Sequence, residues 1–330
     1  MINRPLAIAA ALLLLLLLPL VLQGPYIRHL FILAFLFAIV AASWDLTLGL
    51  TGLFNFGHIA FFGLGVYTAG ILTTQAGVDP WLVIPIAGIV AALAAFVVAA
   101  PTLRLRGIYV VLVTFAFSQL CLQVVMSQGD LTGGAGGIVR VPSLRISDYN
   151  FARDQRLGYY YVSLVLSLAC IAALVAIARS PLGKTARAVR DNPEYAAARG
   201  IDQMRIRLTM LVISAIPTGI AGALYCIYFR VAAPEVFSFS TSTLILTMLL
   251  VGGAGSIVGP AVAAVGIVMI SEYLEQFPDL KATKHMLLAV GIILVLRFFP
   301  GGLAQISANL FARSAKTVGA TPERSEEAGR

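Results

Sequence analysis

The sequence predicts an all-α, polytopic membrane protein with about ten transmembrane helices (nine to eleven), some of them broken by glycine. Apolar residues make up 59% of the 330 residues and charged residues only 12%, about half of the ~25% that is usual in a soluble globular chain. The mean hydropathy is +0.93, and several apolar stretches approach the ~20 residues that cross a hydrocarbon core. These observations exclude a cytosolic enzyme, a disulfide scaffold and a disordered chain.

The first predicted span lies within residues 1–23 and contains seven consecutive leucines at 12–18. A cleaved signal peptide is the alternative interpretation. We favour an uncleaved span, because the apolar run continues to Leu22 and is followed by Gln23-Gly24 rather than by an Ala-x-Ala-like cleavage site.

Further spans are predicted wherever an apolar run is long enough to cross the membrane or to enter it deeply. They lie at residues 30–50, 57–75, 81–100, 107–127, 157–178, 208–229, 242–253, 256–272 and 286–300. The pair at 242–253 and 256–272 is either two short spans or one broken helix, because a glycine-rich stretch separates its members.

The distribution of basic residues predicts the orientation of the spans. Lysine and arginine exceed aspartate and glutamate by 23 to 15, and they collect at 101–107 and 179–207. With ten spans, both segments lie on the same side as Arg4, so we expect both termini to be cytoplasmic. We expect this charge to face anionic lipid headgroups and not nucleic acid.

Two short capped helices are predicted between residues 180 and 200. Ser180 and Asn192 are capping residues, each followed by a proline at the first helical position, and Gly200 can end the second helix. One interpretation is a helix on the membrane surface whose arginines hold lipid headgroups. The other is a docking element, because a rigid helix can pass the motion of a soluble partner to the adjoining spans.

Several chemistries lack the residues that they need. Gly183-Lys184-Thr185 resembles the end of a phosphate-binding loop, but the position of its first glycine is Ala178 and a membrane span precedes it. The three histidines are far apart and form no hydrolase or metal motif. The three cysteines all fall inside predicted spans, without CxxC spacing, and are interpreted as core residues. We therefore predict that this chain binds no metal or nucleotide and is not an enzyme.

Polar residues and glycines inside the spans are candidates for a solute path, because an unpaired polar group in hydrocarbon is costly. Asp45 is the only carboxylate well inside a span, so the charged residues of proton-coupled or sodium-coupled carriers are nearly absent. Glycines cluster at 57–70 and at 252–259. They favour either close helix packing or broken helices that line a path. We predict that the path includes Asn55, His58, Gly63, Thr114, Gln119, Gly253 and Ser256.

Four motifs in order resemble the LivM-type permeases of branched-chain amino acid ABC importers. They are residues 49–68 (GLTGLFNFGHIAFFGLGVYT), 103–109 (LRLRGIY) with 113–117 (VTFAF), 131–134 (LTGG), and 180–192, which begins SPLG and ends RAVRDN. The similarity extends over about residues 30 to 300. The segment 194–200 also resembles the EAA…G loop of such permeases, with Tyr195 in place of the first alanine.

The resemblance implies one of two related membrane subunits that work with two ATPase subunits and an extracytoplasmic solute-binding protein. ATP and magnesium would be bound by those ATPases. The helix pair would be the coupling element, with Arg187, Arg190, Asp191, Asn192, Glu194, Ala197 and Gly200 as its residues. Thr132, Gly133 and Gly134 would face the binding protein or an outer gate.

The domain organisation follows from the same comparison. Residues 1–29 are assigned to the first span and a short loop, 30–311 to the permease domain, and 312–330 to a disordered cytoplasmic tail. The expected location is the bacterial cytoplasmic (inner) membrane. Branched-chain or other hydrophobic amino acids are the expected solutes, and urea, short amides or aromatic acids are the alternatives. A secondary carrier or channel made of this single chain is the alternative of a different class.

Overall fold

A computed structural model describes residues 13–19, 24–102, 105, 107–146, 149–151, 156–275 and 297 of the chain. Most of these residues are helical. The helices are α1 (13–19), α2 (Pro25–Thr51), α3 (His58–Thr74), α4 (Pro80–Thr102), α5 (Ile108–Ser127), α6 (Gly129–Thr132), α7 (Leu157–Arg179), α8 (Pro181–Asp191), α9 (Pro193–Ala198), α10 (Gln203–Phe229), α11 (Phe239–Gly252) and α12 (Val258–Glu275).

The predicted all-α class is confirmed. Within the described residues, the helices α2, α4, α5, α7 and α10 are long and apolar enough to cross a membrane, whereas α3, α11 and α12 are shorter apolar helices. Eight of the predicted spans correspond to one helix each, with ends that agree to within a few residues. The predicted span at 286–300 and the predicted tail at 312–330 lie outside the described part of the chain, apart from residue 297. The total of ten spans therefore stays a prediction.

The core forms around α2, α3 and α10. Helix α10 packs against α4, α3 and α2, and α2 also packs against α12 and α7. Most side chains of α2 are buried. Helix α5, by contrast, buries a single stripe of side chains that includes Val110, Thr114, Ser118 and Cys121, at the spacing of one helical face.

The segment 242–272 is two helices. Helix α11 ends at Gly252, α12 begins at Val258, and the two helices pack against each other. Gly253 and Gly255 have positive φ angles of 94° and 91° in the turn between them, which favours glycine at both positions. The glycine cluster at 252–255 therefore breaks the chain direction, as one of the two interpretations predicted.

The glycines of α3 have a different role. Helix α3 is continuous from His58 to Thr74, so Gly63 does not break it. A Cβ atom on Gly63 would overlap the ring of Phe237. The structure therefore supports close packing at this position.

The connection between α10 and α11 runs beside α3. Ala232 lies next to Gly70, Phe237 lies against Gly63, and the ring of Phe239 stacks on that of Phe56, just before α3 begins. Since a helix rises about 1.5 Å per residue, this segment, which includes a short 3-10 helix at Pro234–Phe237, follows most of the length of α3. Residues 230–241 lie between the predicted spans 208–229 and 242–253. Residues 234–237 of this connection pack against both α3 and α5.

Two pairs of short strands connect the loops at one end of the bundle, the end where residues 231–232 lie. Strand β1 (Ile138–Val139) pairs antiparallel with β4 (Val231–Ala232), and β2 (Arg145–Ile146) pairs with β3 (Tyr149–Asn150). The sequence did not predict these strands, because two-residue strands have no detectable hydrophobic period.

Candidate functional site

The first break between helices, residues 52–57 between α2 and α3, is held by the side chain of Asn55. Its amide nitrogen donates to Thr47 Oγ1 (3.2 Å), and its Oδ1 accepts a hydrogen bond from the Gly57 N–H (3.1 Å). Phe56 N–H donates to Thr114 Oγ1 at 2.9 Å, which attaches the break to α5. Because each of these groups is buried, the bonds fix the break without help from water.

His58 begins α3 and is completely buried. Its Nδ1 lies 3.1 Å from Asn55 Oδ1, and its Nε2 lies 3.1 Å from Ser214 Oγ on α10. Asn55 Oδ1 can only accept, so Nδ1 carries the proton in this contact. The imidazole is thus a junction between α3, α10 and the first break.

The second break is the turn 253–257, and it is held by Asp45 of α2. The carboxylate oxygens accept hydrogen bonds from Gly255 N–H (2.6 Å) and Ile257 N–H (2.7 Å). A Cβ atom on Gly49, one helical turn further along α2, would overlap both Asp45 Oδ1 and the Gly255 nitrogen. The absence of a side chain at Gly49 therefore lets the turn approach the carboxylate.

Gly253 and Ser256 form a hydrogen-bonded loop inside this turn. Ser256 Oγ donates to the Gly253 carbonyl (3.0 Å) and accepts from Gly259 N–H (3.0 Å). These bonds satisfy backbone groups that a helix would otherwise pair internally, so the turn has a defined shape at the point where α12 begins.

The predicted pair of capped helices is present as α8 and α9. Ser180 Oγ accepts from Gly183 N–H (3.4 Å), and Asn192 Oδ1 accepts from Tyr195 N–H (2.9 Å). Ala186 and Val189 are buried on the inner face of α8. Gly200 follows α9 with a φ of 78°, as expected for a glycine that ends a helix.

Arg190, near the end of α8, joins the helix pair to α2. Its Nη1 donates to the Gly49 carbonyl at 2.5 Å, and its guanidinium forms an ion pair with Asp191 at 2.8 Å. A Cβ atom on Gly52 would lie 3.0 Å from Arg190 Cγ. The aliphatic part of this side chain therefore packs on the end of α2 while its charged end reaches towards the second break.

A cavity of about 770 Å³ lies between the first break and the helix pair. Its walls come from residues 52–54 of the break, residues 191–194 of the helix pair, Gln203 and Arg207 of α10, and, around the start of α5, Leu105, Gly107, Ile108, Val110 and Val111. The cavity thus borders both a predicted path segment and the predicted coupling element.

The predicted path residues fall into two groups. Asn55, His58 and Thr114 meet at the first break, and Gly253 and Ser256 meet at the second. Gly63 is covered by Phe237, and Gln119 is half-buried further along α5. All of these residues except Gln119 and Ser256 are buried in this chain.

The predicted coupling residues are mostly on the surface. Arg187 is half-buried, whereas Asp191, Asn192, Glu194, Ala197 and Gly200 are exposed. Neighbouring exposed positions on two rigid helices form a surface that a soluble partner can contact.

The predicted gate residues lie at the far end of the bundle. The Thr132 hydroxyl donates to the Val125 carbonyl (2.5 Å) and accepts from Gly134 N–H (3.2 Å). Gly133 and Gly134 have φ angles of 74° and 55°. The glycine-rich loop thus folds into two tight turns and leads directly into β1.

Two parts of this site are not predicted from the sequence. The sequence shows Asp45 as an intramembrane carboxylate without a role, although its spacing of four residues from Gly49 places both on one face of α2. The packing of residues 231–239 along α3 is also not predicted. Pro234 and the run of glycines on α3 are the only sequence signals of that packing.

The comparisons with known proteins agree with this architecture. The sequence model of the family described as the permease component of branched-chain amino acid transport systems matches residues 26–296. The chain therefore belongs to this family of multi-pass membrane permeases, and the resemblance predicted from its motifs is confirmed.

The named relatives support the same assignment. The chain is 29% identical to the high-affinity branched-chain amino acid permease LivM of Escherichia coli, over 82% of this chain and 68% of the relative. It is 24% identical to a probable LivM of Methanocaldococcus jannaschii, over 81% of this chain and 90% of the relative. It is 25% identical to E. coli LivH, again over 81% and 90%. No solved structure was found to match the chain.

Proposed function

We propose that this chain is the transmembrane subunit of an ATP-binding-cassette importer that moves branched-chain or other hydrophobic amino acids inward by alternating access. The observation that carries the proposal is the attachment of the capped pair α8–α9 to the end of α2 through Arg190 and Gly49. A rigid surface helix that is bonded to a buried span can transmit force, whereas a flexible loop cannot. Membership of the permease family and the names of the relatives support the solute class.

In this proposal, a partner ATPase contacts the exposed residues of the helix pair. The relevant surface consists of Arg187, Arg190, Asp191, Asn192, Glu194, Ala197 and Gly200. Closure of the ATPases on ATP would move α8 and α9, and the cavity beside them would open or close. The chain supplies no ATP chemistry, so ATP and magnesium belong to the ATPase subunits.

The solute path would run past the first and second breaks. Its residues are Asn55, His58, Gly63, Thr114, Gln119, Gly253 and Ser256. Because most of these side chains are buried and bonded within this chain, they shape the breaks, and movement of the breaks would expose backbone groups to the solute.

The complete importer would contain a second homologous permease subunit, two ATPases and an extracytoplasmic solute-binding protein. The loop with Thr132, Gly133 and Gly134 would face the binding protein or form an outer gate. The chain would cross the bacterial cytoplasmic (inner) membrane about ten times, with both termini in the cytoplasm and with the arginines of α8 near the lipid surface.

The test is mild detergent extraction from the native host, mass spectrometry of the co-purifying proteins, and uptake of radiolabelled leucine by proteoliposomes made from the purified complex. We expect two ATPases and a second permease, and leucine uptake that requires ATP and the binding protein. Recovery of this chain without an ATPase, under conditions that preserve a known membrane complex, would contradict the proposal and favour a carrier or channel. Urea, short amides and phenylacetate serve as competing solutes that test the assigned class.

A further inference from the structure

Asp45 and Arg190 both bind in the same small region, where α2 ends and the turn 253–257 passes. Asp45 binds the turn through Gly255 N–H and Ile257 N–H. Arg190 binds α2 through the Gly49 carbonyl. Two elements that are remote in sequence, α8 and the turn 253–257, are thus attached to one helical turn of α2, residues 45–49.

The two side chains also approach each other through this turn. A Cβ atom on Gly255 would lie 3.3 Å from Arg190 Nη1 and 3.3 Å from the Gly49 carbonyl oxygen. Asp45 is fully buried, and a buried charge is costly unless it is hydrogen-bonded. The two N–H groups of the turn supply these hydrogen bonds.

We propose that Asp45 and Arg190 are positioning residues that connect the α8–α9 pair to the turn 253–257, so that α8, the end of α2 and the start of α12 move as one body. The proposal rests on the proposed function and specifies how motion of the coupling element reaches α11 and α12. A movement of α8 displaces Gly49 through the hydrogen bond that Arg190 donates to its carbonyl. Because Asp45 lies on the same helical turn as Gly49, its hydrogen bonds to Gly255 and Ile257 then displace the second break.

The obvious alternative is a purely structural role. A carboxylate that accepts two N–H groups at the start of α12 resembles a helix cap, and its loss would reduce stability without affecting the coupling of transport to ATP. The test must therefore measure coupling and not only uptake.

The first experiment measures the number of leucine molecules transported per ATP hydrolysed, in proteoliposomes that contain the complete complex. The variants are Asp45→Asn, Arg190→Gln and the double variant. The matched controls are Asp202→Asn, which alters another carboxylate that accepts two backbone N–H groups, and Lys184→Gln, which removes an exposed positive charge from α8.

We expect each single variant to lower this ratio about fivefold or more, the usual lower size of a coupling between sites, while ATP hydrolysis continues. The double variant should have the ratio of the more affected single variant, because both act in one connection. An unchanged ratio in the single variants, or losses that multiply in the double variant, would overturn the proposal. Absence of ATPases from the purified wild-type complex would instead contradict the proposed function itself.

A second experiment leaves both residues in place and therefore does not depend on whether the variants assemble. Spin labels are attached at Lys184 on α8 and at Ala254 in the turn, both of which are exposed, after the native cysteines are replaced by alanine. A reference pair joins Lys184 to the exposed Leu112 of α5, on the helix whose start lines the cavity. We expect ATP trapping to change the reference distance and not the distance from Lys184 to Ala254. Equal changes in both pairs would overturn the proposal. No change in either pair would instead contradict the movement of the helix pair on which the proposed function depends.

Discussion

The imidazole ring of His58 is stacked on the indole ring of Trp44, with centroids 5.3 Å apart and an interplanar angle of 9°. Trp44 belongs to α2 and His58 is the first residue of α3, so the stacked rings bring the two helices into contact across the break at 52–57. The imidazole also contacts Asn55 and Ser214. One side chain thus fixes the angle at which the chain leaves α2 and enters α3.

We predict that His58→Phe destabilises the protein even though it retains a ring against Trp44. The substitution removes both polar contacts of the imidazole and leaves buried partners unsatisfied, which costs about 1–3 kcal/mol. The thermal midpoint in detergent, followed with a thiol-reactive dye at the buried Cys121 and Cys226, should fall. Ser214→Ala removes only one of the two contacts and should lower the midpoint less. An unchanged midpoint in His58→Phe would show that the hydrogen bonds contribute nothing.

We predict that Gly63→Ala displaces residues 231–239, the segment that packs along α3. The added methyl group would overlap the ring of Phe237, and overpacking of this kind costs about 1–3 kcal/mol. The matched control is Gly266→Ala in α12, where a Cβ atom would meet nothing within 4 Å. The same thermal assay should show a lower midpoint for the first variant and an equal or higher one for the second. A higher midpoint in both would contradict the packing of Phe237 on α3.

Much of this fold follows from the sequence, because the position and length of each apolar run predict where a helix begins and ends. The ends of α4 and α5 agree with the predicted spans to within a few residues. The capped pair at 180–200 was equally predictable, since Ser180, Pro181, Asn192 and Pro193 act on their own local backbone. Such signals depend on neighbours in sequence and need no knowledge of tertiary structure.

The contacts between distant segments were not predictable. The bond from Asp45 to Gly255 joins residues 210 positions apart, and no local pattern shows which backbone N–H a buried carboxylate will find. The glycines of α3 were ambiguous for the same reason, because a helical glycine that receives Phe237 has the same local sequence signal as one that breaks a helix.

We predict that Asn192→Ala weakens transport by loosening α9, whereas Asn192→Asp does not. The Asn192 side chain caps α9 by accepting from Tyr195 N–H. Loss of such a cap costs about 1 kcal/mol, and aspartate caps as well as asparagine. ATP-dependent leucine uptake by the whole complex should be lower for the alanine variant only. Equal uptake in both variants would show that the cap of α9 does not matter for coupling, and equal loss would point to a contact made by the amide itself.

We predict that Gly200→Pro abolishes ATP-dependent leucine uptake while the chain still inserts into the membrane. Gly200 has a φ of 78°, which proline cannot adopt because its ring holds φ near about −65°. The connection between α9 and α10 would therefore change direction, and the surface of the helix pair would no longer be aligned with α10.

Gly77→Pro is the matched control. Gly77 is also exposed, has a φ of 62° and would meet no atom within 4 Å through an added Cβ, but it lies in the connection between α3 and α4, at the opposite end of the bundle. Membrane fractionation should recover both variants, and uptake should be lost in Gly200→Pro and retained in Gly77→Pro. Normal uptake in Gly200→Pro would refute the coupling role of the α8–α9 pair, since a misdirected helix pair could not then be the element that receives the motion of the ATPases.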